Sequence, residues 1–170
     1  MPAEEKLIGI KRIINIDHHP YNTNFGKINY IDSTASATCE ILYDFFTYNN
    51  FTLNSQLATY IYSGILSDTN CLRNGNVTQK VYRIISELLK FDIDGHEIIC
   101  NLFENYSDNQ VKLIGYLLTN FNKVKSYGIY WVVINCKIMD KFNVKYSELN
   151  EIINYLKIFR DINIAIIFKE

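Results

Sequence analysis

Asp17, His18 and His19 stand in a row behind the β-branched run Ile13-Ile14-Asn15-Ile16 and ahead of Pro20. Neutral imidazole is the commonest metal-ligating side chain, and an adjacent carboxylate is the usual group that fixes its tautomer. One histidine of such a pair can bind a metal while the other faces substrate. The alternative is a polar loop in which both imidazoles are merely solvated, and three residues leave the two readings open. A second acid, Asp68, follows the apolar stretch Gly64-Ile65-Leu66-Ser67. An unpaired carboxylate there is costly, so Asp68 calls for a cation, a donor or a metal.

The surrounding elements must position these groups. The run before Asp17, stopped by Pro20, reads as a buried strand of a parallel sheet, and open α/β sheets gather ligands beyond the carboxyl ends of their strands. Residues 21–30 are polar and Asn-rich, a surface loop with Gly26 as its tight point. Asp32 and Ser33 offer N-cap oxygens, so Thr34-Ala35-Ser36-Ala37-Thr38 is expected to open a helix with Cys39, Leu42, Phe45 and Phe46 on one face. Small residues in that first turn admit either a ligand or a close-packed neighbour. A second helix from Ser55 turns Leu57, Ile61, Ile65 and Leu66 inward and delivers Asp68. The polar segment to Val77 has Arg73 as its only charge, and Asn74-Gly75 marks a turn.

Thr78 is expected to cap a third helix, Asp94 with Glu97 a fourth, and Ser107 with Gln110 a fifth carrying Val111, Ile114, Leu117, Leu118 and Phe121. His96 reads as solvated. The pattern then changes to a strand at 128–134, a helix at 147–159 and a strand at 162–168. This places a boundary near 123–127, hence domains 1–122 and 123–170. The second domain ends on an apolar strand with no turn or polar tail, so it is expected to be incomplete.

At 170 residues, 48% hydrophobic and 14% aromatic, the chain can build a core in one domain or two small ones. Its net charge of −1, from 17 basic and 18 acidic residues, argues against duplex DNA and a membrane surface as partners. A short nucleotide could still be held by a few local groups. The four cysteines form no C-x-x-C pair, which disfavours a structural zinc site. Cys39 and Cys100 read as buried free thiols. With no apolar leader core and no membrane-length run, the expected location is cytoplasmic.

With Asp17-His18-His19, the segment 32–38 and Gly64-Ile65-Leu66-Ser67-Asp68-Thr69 together, the chain resembles the DHH phosphoesterase family. The branch it looks most like is the bifunctional oligoribonuclease and 3′-phosphoadenosine-5′-phosphate phosphatase type, or nanoRNase. The similarity runs over residues 13–168. It implies an α/β fold: the later half of a parallel-sheet DHH catalytic domain with many helices, then the start of a smaller α/β DHH-associated domain. It further implies a phosphoesterase using two divalent ions, typically Mn²⁺, with His18 and Asp68 as ligands of one ion. Asp17 would support from behind, His19 would face the substrate phosphate, and Arg73 would lie near that phosphate. The implied partners are short single-stranded RNA or a nucleotide phosphate.

Departures accompany the resemblance. The family's His-x-x-x-Asp-x-Asp motif is absent, no Asp precedes Asp17, no two glycines are adjacent, and Asn70 replaces the glycine usual after the Asp-Thr pair. The expectation is therefore a piece cut at both ends, with little activity alone. A non-catalytic remnant, half of a split enzyme, or another activity of the family (single-strand exonuclease, cyclic-dinucleotide phosphodiesterase, pyrophosphatase) are the alternatives. Sheet edges opened by such a cut would promote association, so a homodimer is among the expected states.

Overall fold

Ile14–Asp17 forms strand β1, paired in parallel with β2, Ile28–Ile31, in the register Ile14 to Ile28 through Asp17 to Ile31. The computed structural model describes residues 12–145, 148, 154–155 and 157–170. Residues 18–27 connect these parallel strands over a shorter distance than the roughly dozen residues such crossovers usually need. Asparagines make the short path feasible. The Asn15 amide donates to Asn22 Oδ1 at 2.8 Å and to Asn29 Oδ1 at 3.1 Å, while Asn29 donates back to the Gly26 carbonyl at 2.7 Å. Asn24 takes the left-handed backbone, φ 55°, which Asn tolerates better than most residues. Gly26 is the expected tight point: a Cβ there would lie 2.7 Å from the Ile28 carbonyl oxygen.

The next segment differs from expectation. Residues 34–37 are not a helical turn, and helix α1 begins at Thr38 (Thr38–Tyr48) with Ala37 extended before it. Asp32 explains this, because its Oδ1 accepts from both the backbone N–H and the hydroxyl of Thr34, an Asx turn that competes with helix. Ala35, Ser36 and Ala37 are buried. The buried face of α1 runs through Glu40 and Ile41, whereas Phe45 is half exposed beside Phe46 and Phe51.

Helix α2, Ser55–Asp68, starts where the sequence places it, because Asn54 Oδ1 accepts from the Leu57 N–H. Its Ala58, Ile61, Tyr62, Ile65 and Leu66 join Ala37 and the α3 residues Val81, Ile84 and Leu88 in one core. Helix α3 is Gln79–Leu88 and α4 is Gly95–Phe103, the latter capped by Asp94 accepting from the Glu97 N–H. Cys39 packs against this core with its thiol pushed up by burial and by Asp68, and Cys100 is half-buried.

The compact units divide after Asn105. Helix α5, Asp108–Thr119, opens on the full Ser107/Gln110 capping box and belongs to the second unit. Its Leu113, Ile114 and Leu117 share a core with Val132, Ile134 and Met139, so the unit begins earlier than the expected residue 123. Val111, expected inward, is 56% exposed, because the packed stripe is rotated toward Leu113. The second sheet has the order β3 (Asn122–Val124), β4 (Ile129–Ile134), β5 (Ile164–Lys169), with β3 antiparallel and β5 parallel to β4. Helix α6, Cys136–Phe142, follows β4. Most of the helix expected at 147–159 lies outside the described residues. Among the described residues no helix is long and apolar enough to cross a membrane.

Gly64 sits where α2 meets α1, and a Cβ on it would collide with the Cys39 thiol. Gly64→Ala is therefore expected to destabilise the first unit by about 1–3 kcal/mol through overpacking, and urea unfolding followed by circular dichroism measures it.

Candidate metal centre

Asp17 closes β1, and the chain leaves the strand through His18 and His19. Asp17 Oδ1 accepts from the backbone N–H of His18 at 2.8 Å and of His19 at 3.3 Å, and from His19 Nδ1 at 2.7 Å. Its Oδ2 accepts from the Asn22 amide at 2.6 Å. Burial pushes the Asp17 carboxyl up, but donation from the His19 and Asn22 side chains and the two backbone N–H groups outweighs it. The net result holds Asp17 well below the usual carboxylate range. With both oxygens engaged, Asp17 supports its neighbours.

The two histidines take different positions. His18 Nδ1 lies 3.3 Å from the Ala35 carbonyl oxygen, which can only accept, so Nδ1 carries a proton, and in the neutral ring Nε2 keeps its lone pair. His19 Nδ1 likewise donates to Asp17, leaving Nε2 free on a side chain that is 70% exposed. The two rings meet edge to face at 4.4 Å between centroids.

Helix α2 brings in Asp68. His18 Nε2 and Asp68 Oδ2 are 3.6 Å apart, too far for a good hydrogen bond. Two ligands at about 2.0–2.2 Å from one ion and roughly tetrahedral about it lie about 3.5 Å apart, so this spacing suits a shared cation. Asp68 is also the last residue of its helix, where the dipole opposes negative charge. An imidazole lone pair and a carboxylate oxygen facing one another fit a borderline divalent ion such as Mn²⁺ or Zn²⁺. Asp17, His18 and His19 also offer ligand atoms within 4.8 Å of one another. The engagement of Asp17 favours the His18 and Asp68 pair.

After Asp68 the chain turns through three consecutive left-handed residues, Asn70, Cys71 and Leu72, with φ of 49°, 56° and 62°. At Cys71 and Leu72 this costs about 1–2 kcal/mol each, and less at Asn70, which tolerates the left-handed backbone. Buried Thr69 holds the run: its hydroxyl donates to the Ile65 carbonyl at 2.6 Å and accepts from the Leu72 N–H at 3.1 Å. Arg73 follows, exposed and, among the described residues, without an ion-pair partner.

Sequence reasoning passed over three groups around this pair: Asn22, which donates to Asp17, the Ala35 carbonyl beside His18, and Glu40, which holds the Ser36 N–H. Asn22 was hidden in a polar loop, and a backbone carbonyl has no signature in side-chain type. Glu40 had one, since it lies three residues after Ala37 and next to Ile41 on the buried face of α1.

Because Asp17 is held below its ordinary 3.8, the unfolded chain takes up the proton first as pH falls. The stability it supplies is complete above about pH 4 and is lost as pH drops through the folded-state value. Asp17→Asn is expected to remove this part of the acid limb, and the difference between the two proteins in urea unfolding should shrink steadily below about pH 4.

Comparison with known proteins bears on the fold and the family. Residues 3–65 match the DHH family, N-terminal domain. The chain is 32% identical over 151 residues to the probable bifunctional oligoribonuclease and PAP phosphatase NrnA of Streptococcus mutans, covering 89% of this chain and 48% of that protein. It is 28% identical over 162 residues to the bifunctional oligoribonuclease and PAP phosphatase NrnA of Bacillus subtilis, covering 94% of this chain and 51% of the relative. An exopolyphosphatase-related protein from Bacteroides fragilis has a crystal structure that superposes with a TM-score of 0.83 at 26% identity, over 89% of this chain and 45% of that one. The chain thus spans about half the length of the curated relatives it matches. The DHH match over residues 3–65 contains the Asp17-His18-His19 turn at the end of β1, and along most of its length the chain is similar to the NrnA proteins.

Proposed function

We propose that this chain carries part of a metal-dependent phosphoesterase site that acts on short oligoribonucleotides or 3′-phosphoadenosine 5′-phosphate. The observation supporting it is the facing pair His18 Nε2 and Asp68 Oδ2, 3.6 Å apart with the other His18 nitrogen already committed. When bound, a divalent ion, Mn²⁺ by family resemblance, polarises the phosphoryl group and makes water a better nucleophile. His18 and Asp68 would hold one ion; the two-ion site of the family needs further ligands. Asp17 keeps the His19 ring turned so that Nε2 faces solvent, where, when protonated, it can donate to a phosphate oxygen. Arg73, on the loop after Asp68, supplies a cation for the same phosphate or its neighbour.

Near-neutral charge agrees with a short ligand held by a few groups, and no basic groove for duplex DNA or a long single strand is apparent in the composition. A bacterial-type cytoplasmic setting and a homodimer are part of the proposal. Because the relatives are about twice as long, the second reading is that these ligands act with residues on another segment or polypeptide, or persist on a non-catalytic remnant.

Two measurements test this. Calorimetric titration with Mn²⁺ is expected to detect binding that falls at least tenfold in His18→Ala and in Asp68→Ala; unchanged binding in both variants would remove the metal assignment. Hydrolysis is then compared on a pentanucleotide RNA, 3′-phosphoadenosine 5′-phosphate, a long single strand and pyrophosphate, for this chain alone and mixed with a polypeptide carrying the family's upstream Asp motifs. Little turnover alone and recovery of pentanucleotide cleavage on mixing is the expected pattern. Rapid Mn²⁺-dependent release of mononucleotides by this chain alone, lost in His18→Ala, would overturn its dependence on other segments. Preference for the long strand would overturn the substrate class.

A further inference from the structure

We infer that Glu40 is a positioning residue for His18, acting through the single peptide unit between Ala35 and Ser36. Glu40 is buried, its side chain only 4% exposed. Its Oε2 accepts from the Ser36 N–H at 2.8 Å and its Oε1 pairs with Lys80 Nζ at 3.1 Å. The Ser36 N–H and the Ala35 C=O belong to the same planar trans peptide, so they point in opposite directions. Gripping the N–H from one side aims the carbonyl at the other, where it meets His18 Nδ1 at 3.3 Å. Glu40 thus sets the angle of the acceptor that selects the His18 tautomer and turns Nε2 toward Asp68.

Three observations support more than a packing role. A buried ion pair is no cheaper than a well-packed apolar side chain, so stability alone does not account for it. The carboxylate polarises the peptide it binds, which makes the Ala35 carbonyl a stronger acceptor and the His18 ring more electron-rich. The same peptide region is fixed a second time, since the Ser36 hydroxyl donates to the Asn76 carbonyl at 2.6 Å. Lys80 also contacts Asp44 at 2.5 Å; burial lowers its affinity for a proton, but the Asp44 and Glu40 carboxylates outweigh this and raise it. The ammonium therefore remains a fixed counter-charge for Glu40.

This inference rests on the metal-binding reading of His18 for its consequence, but its first readout does not. Two-bond ¹H–¹⁵N correlation spectra of the metal-free protein at about pH 8, where an ordinary imidazole is neutral, report the His18 tautomer directly. The Nδ1–H form is expected to dominate in the unaltered chain and in Glu40→Gln, which keeps an oxygen for the Ser36 N–H. In Glu40→Ala the Nε2–H form should become comparably populated, and Mn²⁺ binding should weaken about tenfold. An unchanged His18 tautomer in a folded Glu40→Ala protein would overturn the inference. If circular dichroism shows that variant unfolded, Glu40→Leu, which fills the same space without an acceptor for the Ser36 N–H, carries the test, with a shift in the same direction expected and no shift overturning the inference. Absence of Mn²⁺ binding in the unaltered chain would sink the metal reading alone and leave the tautomer spectra to decide this one.

Discussion

A carboxylate at the C-terminal end of a well-buried helix needs positive charge nearby, and Asp68 is placed so by the packing of α2. Its apolar face, Ala58, Ile61, Ile65 and Leu66, is locked into the first core, so the helix cannot slide to relieve the acid at its end. Close packing leaves few alternatives, because each methylene removed from or added to such a core costs stability. The position of Asp68 is thus set by hydrophobic contacts that begin in its own last turn, at Ile65 and Leu66. His18 approaches from the other side, at the end of β1, and the space between the two is what the fold holds constant.

The approach of His18 has its own support. The strand pairing of β1 with β2 fixes where the chain emerges, the asparagine network closes the connection, and Asp17 gathers the first amides beyond the strand. Donors converge on Asp17 from the backbone, from His19 and from Asn22, so its negative charge is spread before any cation arrives. These hydrogen bonds engage Nδ1 of both imidazoles and leave Nε2 of His18 facing Asp68 and Nε2 of His19 facing solvent.

Much of this could be read in the amino acids. The start of α2 at Ser55, the capping box at Ser107 and the strand at 129–134 follow from side-chain pattern and cap chemistry, which act locally; the strand before Asp17 was placed correctly but is not the buried strand expected, since Ile14 is exposed and Asn15 is its buried residue. What escaped was non-local or belonged to the backbone. Residues 34–37 look like a first helical turn until Asp32 is seen to claim Thr34, and Glu40 to claim Ser36. Helix α5 has an amphipathic pattern compatible with either neighbour, and only its contacts with Val132, Ile134 and Met139 assign it to the second unit. The facing pair His18 and Asp68 was legible as two residue types, while the Ala35 carbonyl beside His18 Nδ1 could not be read from a side-chain alphabet.

The left-handed run after Asp68 bears on association entropy. Asn70, Cys71 and Leu72 are held there by hydrogen bonds to a buried threonine and to the last turn of α2, including the Cys71 N–H to the Leu66 carbonyl at 2.8 Å. Backbone so constrained has already given up most of its conformational freedom during folding. An anion that reached Arg73 would therefore meet a main chain with little left to lose, and the ordering penalty that usually weakens loop-borne binding groups would fall chiefly on the arginine side chain.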